Sequence, residues 1–152
     1  MKKISFFIAL IATVFLPNSF AQTSPVKNLG VLAAYYDVRN ALVAGKVEIA
    51  ALKAEELKAA LNTVKSIESK TALQKNSGLI AGSKNIKSQR DAFANLSADM
   101  ITLVKAEKLN TEPVYQLTCP MKNSSWLSNE KTVKNPYYGS AMLSCGKVVG
   151  TL

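Results

Sequence analysis

The sequence contains no histidine, and only two of its 152 residues are cysteine. Without histidine there is no Ser-His-Asp triad, no His-ligated zinc and no HExxH protease helix. Two thiols are too few for a zinc site of four thiolates within one chain. The clustered oxygen ligands that calcium and magnesium need are missing, and so is a glycine-rich phosphate loop. Glu55 and Glu56 are adjacent on one helical stretch and point apart, so they are not a catalytic pair. Arginine is scarce too, with Arg39 and Arg90 alone. Proline is absent from the whole stretch 26–112. A chain of this length suits one ordinary domain and is too short for two full-sized ones.

What is present begins with an export pattern. Lys2 and Lys3 form a basic start, and Ile4 to Leu16 are apolar apart from Ser5 and Thr13. Ser19 and Ala21 place small residues at the −3 and −1 positions of a cleavage site. The pattern predicts a signal peptide over 1–21, with the mature chain 22–152 in the periplasm. The apolar run is short of the ~20 residues of a membrane span. Removing Lys2 and Lys3 lowers the formal charge from +9 to +7. The remaining lysines are spread along the chain and read as a solvated face rather than a nucleic-acid surface. No second long apolar run follows, so no stable membrane insertion is expected after cleavage.

The mature chain has two textures, taken here as one domain. Residues 28–110 are rich in Ala, Leu, Lys and Glu, which favour helix. Leu29, Leu32, Tyr36, Leu42 and Val43 fit one helical face that stops near Gly45. Val47, Ala50, Ala54, Leu57, Leu61 and Val64 form an amphipathic stripe, and so do Ile86, Phe93, Leu96, Met100 and Leu103. Ile67, Leu73, Leu79 and Ile80 offer core contacts between them, but Asn76-Ser77-Gly78 interrupts the stretch. The expected fold class is all-α, an up-down bundle of three to four helices. Residues 113–152 form an irregular C-terminal cap with turns at Asn135-Pro136, Gly139, Gly146 and Gly150 and sparse extended segments.

The cap holds both cysteines, each with a methionine close by: Cys119-Pro120-Met121 and Met142-Leu143-Ser144-Cys145. In an extended segment, residues two apart share a face; in a helical turn, residues three apart do. Cys119 with Met121, and Met142 with Cys145, thus make a candidate site of two thiolates and two thioethers. Such soft donors favour Cu(I) over hard cations. The same two cysteines in an exported chain also suit a Cys119–Cys145 disulfide, which would contribute about 3–4 kcal/mol in the chain-entropy model. The residues alone leave both readings open. Trp126 is a candidate cation–π partner for a bound ion, or a buried wedge. Cys119 has no histidine base, so no enzymatic activity is expected.

Tyr35-Tyr36 with Asn40 to Gly45, Gln89 to Phe93 with Leu96-Ser97 and, most specifically, the cap together resemble a bacterial family known as domain of unknown function 3347. In the cap, Cys119-Pro120-Met121, Trp126-Leu127-Ser128, Asn135 to Gly139 and Met142 to Gly146 follow the family's order and spacing. Similar domains are fused to periplasmic adaptor subunits of copper/silver-type efflux systems. The resemblance therefore implies soft-metal handling, carried over onto Cys119, Met121, Met142 and Cys145, with a heavy-metal efflux adaptor as an implied partner. This chain is expected to differ from the fused members in carrying the domain alone.

Overall fold

A computed structural model describes residues 26–152, with side chains from Gly30 onward. The signal peptide expected over 1–21 lies outside the described residues. Among the described residues four helices come first: α1 Val26–Val43, α2 Val47–Ala60, α3 Ile67–Ala81 and α4 Ile86–Glu107. Three strands follow: β1 Tyr115–Cys119, β2 Ser124–Ser128 and β3 Lys147–Thr151. They form one antiparallel sheet in the order β2-β1-β3.

The expected all-α class is therefore corrected: the protein is mostly helical, with a three-stranded sheet as its C-terminal cap. The sheet was hard to read because its strands are five residues long and mostly lack β-branched runs. β1 and β2 form a hairpin, but the pairing of β1 with β3 joins segments distant in sequence, which puts Leu117 opposite both Trp126 and Val148.

Local chemistry sets the helix ends. Gly45, at φ +68°, turns the chain out of α1, and the Lys46 N–H returns to the Ala41 carbonyl. Ser66 caps α3 by accepting from the Ser69 N–H, and Asn85 caps α4 by accepting from the N–H groups of Lys87 and Ser88. Asn76 and Ser77, expected to interrupt the third helix, lie inside it. Ser77 bonds back to the Leu73 carbonyl, and the Asn76 amide donates to Asp99 on α4. A buried polar residue is tolerated mid-helix when a partner satisfies it. Leu73 and Ile80 enter the core as expected, whereas Ile67 and Leu79 face solvent. They sit at the helix start and on its outer face, off the stripe that α3 turns toward α2 and α4. Among the described residues no helix is long and apolar enough to cross a membrane.

Each helix packs on its chain neighbour, and α4 then receives β2. Tyr35 locks this junction. Its hydroxyl pairs with Ser97 Oγ of α4 at 2.7 Å and accepts from the Leu127 N–H of β2 at 3.1 Å. Burial pushes the Tyr35 phenol up to about 12, so it stays neutral at any ordinary pH. Its ring stacks on Phe93, which in turn meets Tyr137 of the cap. Tyr35→Phe keeps the ring and strands the Leu127 N–H and the Ser97 hydroxyl. A loss of about 1–3 kcal/mol in urea-unfolding free energy is expected.

Candidate metal centre

Cys119 is the last residue of β1, paired with Ser124 of β2, and is fully buried. Leu117 shares its face, two residues back, and Trp126 stands opposite Leu117. The strand ends there. Residues 120–123 form the tight turn into β2, with the Asn123 N–H on the Pro120 carbonyl and Asn123 at φ +51°. Met121 lies in this turn and is 66% exposed. Strand alternation therefore does not carry from Cys119 to Met121, and the expected shared face is corrected: the thiol points inward and the thioether outward.

Cys145 reaches the same place from the other side. A 3-10 turn over Gly139–Met142 precedes it, and its N–H donates to the Met142 carbonyl at 3.1 Å. Met142 and Cys145 are thus one turn apart, as their spacing suggested. Met142 is 39% exposed and Cys145 is half-buried. Both cysteines are free thiols, and their sulfurs lie 4.0 Å apart. Loss of hydration raises the Cys145 thiol above its ordinary value, and the neighbouring Cys119 sulfur adds to this. A hydrogen bond from the Met121 backbone works the other way.

Two residues that the spacing did not single out hold the thiols together. Gly146, at φ +151°, lies so close to β1 that a Cβ there would stand 2.8 Å from the Thr118 carbonyl and 2.8 Å from the Trp126 ring. The missing side chain lets the segment carrying Cys145 press against the strand carrying Cys119. Asn135 is fully buried and uses every polar group it has. Its N–H donates to the Leu143 carbonyl and its own carbonyl accepts from the Gly139 N–H. Its side-chain oxygen accepts from the Tyr137 N–H, and its amide donates to the Cys145 carbonyl at 2.7 Å. The pair Asn135-Pro136 signals a turn in sequence; its role as a clamp on Cys145 shows only in the fold.

Aromatic packing supports the cap from below. Trp126 is 1% exposed and meets Tyr137 edge-on at 5.9 Å. Its place is that of a buried wedge beneath Gly146, next in the chain to Cys145. The Tyr137 hydroxyl donates to the Ser125 carbonyl at 2.6 Å, and burial pushes this phenol far up. Lys122, beside Met121, ties the turn to α4 through Asp91, which also bonds Lys87. The two ammonium groups hold the Asp91 carboxyl below its usual range.

Residues 31–112 match the family described as Protein of unknown function (DUF3347). The matched stretch spans the helical body and ends before β1. No curated protein and no solved structure matches the chain.

Proposed function

The chain belongs to the DUF3347 family of proteins of unknown function, and from its cap we propose a periplasmic protein that binds a soft metal ion, Cu(I) in the first instance. One observation carries this reading: two unbonded thiols, from segments 26 residues apart in sequence, meet at 4.0 Å. Two metal–sulfur bonds of about 2.3 Å opening at a trigonal angle span about 4.0 Å, so the pair suits one ion without moving. Cys119 and Cys145 would supply the anionic thiolates that dominate affinity. Among the described residues no group of three or more Cys, Asp and Glu side chains gathers at one point. A third donor would come most simply from the thioether of Met142, one turn from Cys145, or from that of Met121 once its outward side chain swings back over the pair. A sphere of this kind disfavours hard cations. The role would be buffering or delivery to an efflux system through its adaptor, with no chemistry performed on the ion.

Anaerobic Cu(I) titration against a competing chelator tests this. Cys119→Ser and Cys145→Ser are each expected to weaken binding by at least about a hundredfold, and Met121→Leu and Met142→Leu by about tenfold. Equal weak binding by all five proteins would remove the reading. The pH dependence has a definite sign. The thiols lose protons when the ion binds, and Cys145 holds its proton more firmly than an ordinary thiol. Affinity should therefore rise steadily from pH 5 to pH 8, each proton released steepening the rise.

The same separation supports a second reading, a helical body stapled by a Cys119–Cys145 disulfide that docks on an envelope partner. A free-thiol count on freshly isolated protein separates the two. Two free thiols favour the metal site, and none favours the staple.

A further inference from the structure

We propose that the thiol pair is also a disulfide-exchange site, entered through Cys145 and resolved by Cys119. The two sulfurs are unequally placed. Exchange requires a thiolate to approach a disulfide in line, so the first attacking sulfur must be reachable from solvent. Cys119 is fully buried at the end of the central strand and cannot be reached. Cys145 is half-buried in an irregular stretch whose neighbours Met142 and Leu143 are 39% and 45% exposed. Cys145 thus lies in a solvent-exposed stretch, with the second, buried sulfur 4.0 Å from its own. A disulfide bond is about 2.05 Å long, so closure needs an approach of roughly 2 Å.

The co-substrate is a disulfide, R–S–S–R. The Cys145 thiolate attacks one of its sulfurs, forms the mixed disulfide Cys145–S–S–R and expels R–S⁻. Cys119, having given its proton to water, attacks the Cys145 sulfur. The Cys119–Cys145 bond forms, the mixed disulfide breaks and a second R–S⁻ leaves. The protein is oxidised by two electrons and R–S–S–R is reduced to two thiols, which take up the two protons released. A dithiol reverses the sequence. Where the metal reading above holds, oxidation removes both thiolates at once and so releases the ion. The exchange itself does not depend on that reading and is tested on metal-free protein.

The experiment uses oxidised glutathione with metal-free protein, followed by intact mass. The wild type should form the intramolecular disulfide and release two glutathione thiols, with only a transient single adduct. Cys119→Ser and Cys119→Ala should each accumulate one stable adduct on Cys145. Cys145→Ser should leave Cys119 modified at least about tenfold more slowly, because the buried thiol reacts only on local opening. Near-ultraviolet circular dichroism from Trp126 confirms that each variant is folded, and the two Cys119 variants guard against a single misfolded one. Equal rates for Cys119 and Cys145, or a wild type that stops at the mixed disulfide, would overturn the proposal. Failure of Cu(I) binding with this exchange intact would sink only the metal reading.

Discussion

Replacing Gly146 by alanine is expected to lower the unfolding free energy by about 3–5 kcal/mol, read as a fall in urea midpoint at constant slope. Two costs add. The backbone there sits at φ +151°, which an L side chain rarely adopts. The new methyl would also stand 2.8 Å from a backbone oxygen, Thr118 O, which cannot swing aside as a side-chain tip could. The strand or the Cys145 segment must give way, and the second is the less paired. The thiols should therefore part, so that Cu(I) affinity and intramolecular disulfide formation fall together. Gly150→Ala is the control: nothing lies within 4 Å of its Cβ position and its φ is ordinary. A change there within ±0.5 kcal/mol is expected. A similar small change at Gly146 would show that the cap does not depend on this close approach.

The second large effect is expected at Asn135. Asn135→Ala removes two side-chain hydrogen bonds and strands the Cys145 carbonyl and the Tyr137 N–H. Both losses fall in or beside the buried core, so about 2–4 kcal/mol is expected. Asn135→Asp sharpens the test through pH. Its oxygen can still accept from the Tyr137 N–H, but a carboxylate cannot donate to the Cys145 carbonyl. Burial and the facing carbonyl disfavour the charged form, so the folded-state pKa rises above the unfolded value of about 3.9. The neutral acid can donate as the amide did. Relative to wild type, Asn135→Asp is therefore least destabilised at acid pH and loses stability as pH rises through its raised folded value. Denaturation at pH 4 and pH 8 reads this directly. A difference that does not change between the two would show that the amide's donation to Cys145 carries little.

Both predictions concern residues whose roles were invisible as spacing. Gly146 and Asn135 signal turns in the sequence; Asn135 opens the turn over 136–138, whereas Gly146 lies in an irregular stretch just ahead of β3. What they touch is another matter. Gly146 packs on Thr118 and Trp126, and Asn135 on Cys145, and these contacts exist only once β1, β2 and the long return to β3 are assembled. The methionines teach a related lesson. Met142 and Cys145 lie one turn apart because the chain sets that spacing locally. Cys119 and Met121 lose their expected shared face because β1 stops at Cys119 and the chain turns.

The amphipathic stripes of the second and fourth helices, the glycine that ends the first and the division into helical body and cap were all legible in the sequence. They follow from periodicity, capping and backbone preference, which act over a few residues. The cysteine–methionine pairing was legible as chemistry as well, because softness belongs to the atoms and not to their arrangement. The sheet order, the inclusion of Asn76-Ser77 within α3 and the 4.0 Å meeting of two thiols were decided by tertiary structure alone. Each depends on which distant surface a segment finds to bury against, and burial and pairing between remote segments leave no local pattern to read.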